Sequence, residues 1–128
     1  MKEGRVFLID DDPSTLQLYS RALENAGLTV QSTSQVIGTV SKINDFAPDI
    51  ILIDVMMPAL AGDKVVKILK SSVRSNPTII LLSNKGEDEL RKLAKDCGAD
   101  DFITKMSGPN CVLRKVNERL AHKSMATT

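Results

Sequence analysis

Short apolar runs alternate with stretches of helical spacing along this chain. Arg5-Val6-Phe7-Leu8-Ile9 predicts a strand that stops at Asp10-Asp11-Asp12-Pro13. Leu16, Tyr19, Leu23 and Ala26 then recur at the helical interval, and Gly27 follows as a C-terminal cap. Leu28-Thr29-Val30-Gln31-Ser32 predicts a weaker second strand. Val36, Ile37, Val40, Ile43 and Ala47 predict a second helix, closed before Pro48. Ile50-Ile51-Leu52-Ile53 is a third strand ending at Asp54, and Val65, Ile68 and Leu69 mark a third helix. Thr78-Ile79-Ile80-Leu81-Leu82 is a fourth strand ending at Ser83. Leu90, Leu93, Ala94 and Cys97 mark a fourth helix, stopped at Gly98. Asp101-Phe102-Ile103-Thr104 is a short fifth strand ending at Lys105, and Leu113, Val116 and Leu120 give a last helix.

This alternation predicts an α/β fold, a right-handed doubly wound parallel sheet. The first, third and fourth strands are nearly all apolar, as expected when helices cover both faces of such a sheet. The 128 residues fit one domain at about 100–200 residues per domain. Residues 1–122 are expected to form it, with residues 123–128 a polar, disordered tail.

Composition acts mainly by exclusion. Lys and Arg number 17 against 16 Asp and Glu, a formal net charge of +1, which carries no chain-wide footprint for nucleic acid. One Tyr, three Phe and no Trp offer no platform for stacked bases. No apolar run approaches the roughly 18 residues of a membrane helix. The start of the chain is too briefly apolar for a signal peptide. Cys97 and Cys111 do not make a disulfide framework, so the cytosol is the expected compartment.

Ligands of a doubly wound sheet bind beyond the carboxyl ends of its strands. Asp10, Asp11, Asp12, Asp54, Ser83 and Lys105 would all sit on that rim. Clustered carboxylates repel unless a cation or a proton compensates. Their hard oxygens suit Mg²⁺ better than zinc. The only histidine is His122, so Cys-His and Ser-His-Asp arrangements are poorly supported. A carboxylate beside Mg²⁺ can be a nucleophile towards phosphorus, and a hydroxyl and an ammonium can bind the phosphoryl group once attached. Asp54, Ser83 and Lys105 have the chemistry for those three roles.

From Arg5 to Leu120 the chain resembles the receiver domain of two-component response regulators. The resemblance rests on Leu8-Ile9-Asp10-Asp11-Asp12-Pro13, on Pro48-Asp49-Ile50-Ile51-Leu52-Ile53-Asp54-Val55-Met56-Met57-Pro58 with Gly62, on Leu82-Ser83, and on Gly98-Ala99-Asp100-Asp101-Phe102-Ile103-Thr104-Lys105. It implies a five-stranded flavodoxin-like sheet of order 2-1-3-4-5. It implies Asp54 as phosphoacceptor, and Mg²⁺ held by Asp10, Asp11, Asp54 and the backbone carbonyl of Met56. Ser83 is then the switch hydroxyl, Lys105 the partner of Asp54 and the phosphate, and Phe102 the switch aromatic. The implied phosphoryl donor is a sensor histidine kinase or a histidine phosphotransfer protein. The implied output is a protein contact on the face of the fourth helix, fifth strand and fifth helix, with no direct nucleic-acid or membrane role; dimerisation through that face stays open. The pattern also departs from the family. Met106 follows Lys105 where Pro is usual, so a trans bond and a different loop Met106-Ser107-Gly108-Pro109 are expected. Asn84 follows Ser83 where a small residue is usual, and Ala61 precedes Gly62 where an acid is common.

Plainer readings compete. Asp12 before Pro13 is a helix N-cap rather than a metal ligand. Ser83-Asn84 also fits turn chemistry. Lys105 is by base rate a surface lysine, and Phe102 a core or half-exposed strand residue. Lys64, Lys67 and Lys70 read as a solvated helix face, and Glu87–Arg91 and Asp88–Lys92 as i,i+4 pairs. Two other functions fit parts of the pattern. One is a phosphatase with Asp10 as nucleophile and Asp12 as acid/base. The other is a binding module that keeps the fold without phosphorylation.

Overall fold

A computed structural model of the chain describes residues 4–35, 38–54 and 62–126. The strands are β1 (Arg5–Ile9), β2 (Thr29–Thr33), β3 (Ile50–Asp54), β4 (Thr78–Ser83) and β5 (Asp101–Thr104). They pair in parallel in the order β2-β1-β3-β4-β5, as expected. The helices are α1 (Pro13–Asn25), α2 (Thr39–Phe46), α3 (Gly62–Ser72), α4 (Glu87–Cys97) and α5 (Pro109–Ala126).

Strand alternation sorts the core into two layers. Val6, Leu8, Ile50, Leu52, Ile80, Leu82 and Ile103 face α1 and α5, packing on Tyr19, Leu23, Val112 and Val116. Phe7, Ile9, Ile51, Ile53, Ile79 and Leu81 face the other helices, packing on Ile43, Val66, Leu69, Leu90 and Ala94. The three central strands are buried on both faces, which explains their near-continuous apolar sequence. β2 is a polar, half-exposed edge, which accounts for its weaker signal.

Local chemistry sets the helix ends. Asp12 caps α1: its carboxylate accepts from the Ser14 N–H at 3.0 Å and the Thr15 hydroxyl at 2.8 Å, with Pro13 in the first turn. Those bonds, the Thr15 one first, lower the Asp12 carboxyl below its ordinary range. α4 opens on Glu87, Asp88 and Glu89, favourable at the positive end of a helix dipole.

The structure departs from the sequence reading in several places. The second helix starts at Thr39; Val36 and Ile37 lie outside the described residues. α1 is capped by Ala26, with Gly27 one residue beyond at φ 92°. A 3-10 turn, Lys105–Ser107, separates β5 from α5. α5 continues to Ala126, so residues 123–126, expected as disordered tail, are helical. Helical spacing gave no warning, because this last stretch has no apolar stripe. Lys70 is not simply solvated, since its ammonium pairs with Asp100 at 3.3 Å. The Glu87–Arg91 pair forms at 3.2 Å, but Asp88 pairs with Arg91, one residue closer than Lys92.

Candidate phosphoacceptor and metal site

Each residue singled out on the rim, apart from Met56, falls within the described residues. Met56 lies outside them. Asp10 follows β1 and is fully buried, Asp54 ends β3 at 5% exposure, and Ser83 ends β4 fully buried. Asp11 is exposed. Carboxylate oxygens of Asp10, Asp11 and Asp54 lie within 4.8 Å of one another.

Lys105 closes this corner. Its ammonium is 2.7 Å from Asp10 Oδ2 and 3.3 Å from Asp54 Oδ2, and its side chain is only 12% exposed. It is therefore not the surface lysine of the base rate. Asp10 Oδ1 accepts the backbone N–H of Asp12 at 3.0 Å, so both Asp10 oxygens are engaged. Burial pushes the Lys105 ammonium down. The hydrogen bond to Asp10 and the charges of Asp54 and Asp10 outweigh burial and hold it above the ordinary lysine value. Among the described residues no buried side-chain nitrogen or oxygen lacks a hydrogen-bond partner.

Strand register divides the site in two. Asp10, Asp54 and Lys105 continue the alternation of the residues that face α1 and α5. Ser83 pairs with Thr104 and falls, with Phe102, on the α4 side. The Ser83 hydroxyl accepts the Lys85 N–H at 3.1 Å. Phe102 stands apart from the carboxylates. Its ring packs on the α4-side core, under the Arg91 guanidinium at 5.7 Å. Beside it runs a groove of about 310 Å³ lined by Glu87, Phe102, Thr104, Cys111, Arg114 and Glu118, which includes none of the three aspartates.

Sequence reasoning missed three parts of this arrangement. One is Tyr19, buried and raised by that burial, and also within the fields of Lys105 and Asp10. Its place in the apolar stripe of α1 hid its nearness to charge. The second is Arg91 over Phe102, a contact between elements that spacing cannot show. The third is the 3-10 form of the loop after Lys105, where only a different loop was expected and Gly108-Pro109 was the available signal.

The donor set fits a small divalent cation. Octahedral Mg²⁺ binds its ligands at about 2.0–2.1 Å, and three carboxylate oxygens within 4.8 Å of one another can converge on one such ion. Three carboxylates facing one ammonium leave a formal surplus of two negative charges, which one divalent ion neutralises.

The profile of the response regulator receiver domain matches residues 6–117. The chain belongs to that family. The receiver domain is 34% identical over 116 residues to the alkaline phosphatase synthesis transcriptional regulatory protein PhoP of Bacillus subtilis, covering 91% of this chain and 46% of that protein. It is 28% identical over 113 residues to the phosphate regulon transcriptional regulatory protein PhoB of Escherichia coli, covering 88% and 49%. The chain thus spans about half the length of these curated relatives. A solved structure of the chemotaxis response regulator CheY4 of Vibrio cholerae superposes with TM-score 0.80 at 25% identity, covering 92% and 99%. A CheY-like receiver domain protein from Methanospirillum hungatei superposes with TM-score 0.85 at 22% identity, covering 98% and 99%, a likeness of fold. The receiver domain is thus the response-regulator module of a two-component system. Among the described residues no helix is long and apolar enough to cross a membrane.

Proposed function

We propose that this receiver domain is a phosphorylation-operated switch that takes a phosphoryl group onto Asp54. The observation that carries the reading is the corner itself: a carboxylate ending β3, two more within 4.8 Å, and a largely buried ammonium bridging two of them. In the proposed step an Asp54 carboxylate oxygen attacks the phosphorus of a phosphohistidine. The O–P bond forms as the P–N bond breaks, and the imidazole nitrogen leaves with the electron pair. Asp10, Asp11, Asp54 and the Met56 carbonyl would hold Mg²⁺, whose charge offsets that of the phosphoryl oxygens. Lys105 supplies a second positive charge, and Ser83 a hydroxyl donor, for the attached group. The donor is a sensor histidine kinase or a histidine phosphotransfer protein, in the cytoplasm. The receiver domain is an acceptor that at most loads and unloads itself, rather than an enzyme with a separate substrate.

The output is a protein contact on the α4–β5–α5 face, where Phe102 lines the groove. Inward movement of that ring would re-shape the groove. The phosphatase alternative is weakened by two contacts: both Asp10 oxygens are engaged, and the Asp12 carboxylate is turned to its own helix cap.

The test is intact mass after incubation with acetyl phosphate and Mg²⁺, for wild type, Asp54→Asn and Asp10→Asn. A phosphoryl adduct in wild type that Asp54→Asn abolishes is expected. Steady phosphate release that depends on Asp10 would instead favour the phosphatase. No adduct and no release would leave a binding module.

A further inference from the structure

The receiver family usually fixes the backbone after its lysine with a proline, and this chain has Met106 there. Something else must hold Lys105 on the carboxylates. After Lys105 the chain makes one 3-10 turn, Lys105–Ser107, closed by the Gly108 N–H donating to the Lys105 carbonyl at 3.1 Å. Gly108 has φ 84°, in the left-handed region that glycine enters freely and most other residues, asparagine excepted, enter at a cost. A Cβ built there meets nothing within 4 Å. The position therefore needs glycine for its backbone, not for space. The Gly108 carbonyl in turn accepts the Val112 N–H at 3.4 Å, with Pro109 opening α5. One residue thus joins the backbone of Lys105 to the first turn of α5.

We infer that Gly108 is a positioning residue: its left-handed turn holds the Lys105 ammonium on Asp10 and Asp54. This rests on the reading that Lys105 serves the phosphoryl chemistry of Asp54. The same turn carries the start of α5, and with it Cys111 and Arg114 of the groove, so the lysine and the groove share one backbone strut.

The experiment compares the full chain as wild type, Gly108→Ala, Gly108→Asn, Lys105→Ala and the double variant Gly108→Ala with Lys105→Ala. Two quantities are measured: the initial rate of Asp54 labelling by acetyl phosphate with Mg²⁺, and the side-chain Cε resonance of Lys105 without any phosphodonor. Gly108→Ala should slow labelling by up to about thirtyfold, the most that a left-handed alanine can cost. It should also move the Lys105 resonance towards that of an exposed lysine. Asn tolerates the left-handed region, so Gly108→Asn should restore both and guards against simple failure to fold. In the Lys105→Ala background Gly108→Ala should slow labelling no further. The inference is overturned if Gly108→Ala leaves the Lys105 resonance in place, or if it slows labelling equally with and without Lys105. Should wild type take no phosphoryl group at all, the functional reading falls, and the Lys105 resonance alone decides the role of Gly108.

Discussion

β3 begins just after one aspartate and ends in another, and the two meet different worlds. Asp49, at the entry end of the sheet, accepts the Arg5 N–H at 3.0 Å. Its own backbone bonds Arg5 and Thr78. Asp100, at the same end before β5, accepts the Ile79 N–H at 2.9 Å and pairs with Lys70. These carboxylates stitch strands together. Asp54, Asp10 and Asp11 at the exit end face one another, with one lysine between two of them. The entry end uses its acids mainly to satisfy backbone donors on neighbouring strands, and the exit end concentrates them against one another and a lysine. Residue type alone does not separate structure from function here; the end of the strand does.

The sharpest way to break this contrast is Lys105→Met. It strands two buried carboxylates without their cation, and breaking a buried pair typically costs about 3–5 kcal/mol. A loss near the lower figure is expected in urea denaturation with chelator present, since Asp11 leaves the corner open to water on one side. An unchanged midpoint would mean that the ion pairs are incidental. The pH dependence carries the same signature. Lys105 is raised in the fold, so its contribution is fully present below the ordinary lysine value of about 10.4 and is lost as pH rises through the raised value. Tyr19, also raised, acts in the same direction. Wild type should therefore lose stability above about pH 10 more steeply than Lys105→Met, which keeps only the tyrosine part.

Mg²⁺ offers the converse test. If the exit end is a metal site, the ion should raise unfolding free energy by about 2.7 kcal/mol at a hundredfold excess over its dissociation constant. Urea melts with MgCl2, against NaCl of equal ionic strength, would show this. Asp10→Asn should reduce the effect and Asp49→Asn should not. An equal response in both variants would remove the distinction between the two ends.

How far was this contrast legible in the chain? The rim was, because strands one, three, four and five each end on a polar residue and parallel topology carries all four ends to one side. Asp10, Asp11, Asp54 and Lys105 converge for that reason. The entry end was not legible: Asp49 and Asp100 act through backbone donors on other strands, Arg5 and Ile79, which register decides and periodicity does not reveal. The helical run beyond His122 was missed because it carries no apolar repeat, and the changed loop after Lys105 was expected from Met106 but its 3-10 form was not.

Asp100 measures the entry end. Asp100→Ala leaves the part-buried Ile79 N–H without its acceptor and Lys70 without its partner, at a cost of about 1–3 kcal/mol. Asp100→Asn should cost less, because an amide oxygen can still accept. Both should label on Asp54 at the wild-type rate. A stability-matched fall in labelling would show that the two ends of the sheet are coupled through β4 and β5, and the comparison would then need redrawing.

Arg91→Gln should have the smallest effect on stability. The Arg91 side chain is 62% exposed, and its pairs with Glu87 and Asp88 lie on the surface of α4, where each contributes a few tenths of a kcal/mol at most. Its stacking over Phe102 adds roughly 0.5–1 kcal/mol at such an exposed site. The total is therefore expected to stay near 1 kcal/mol, with Asp54 labelling unchanged because Arg91 pairs with Glu87 and Asp88 and with none of Asp10, Asp11 and Asp54. Ring resonances of Phe102 should nevertheless shift, since the cation over its face is gone. If they shift while labelling holds, the aromatic half of the rim can be altered without touching the acidic half. If labelling changes with them, the ring and Asp54 communicate even before phosphorylation, and the two halves divided by strand register act as one unit.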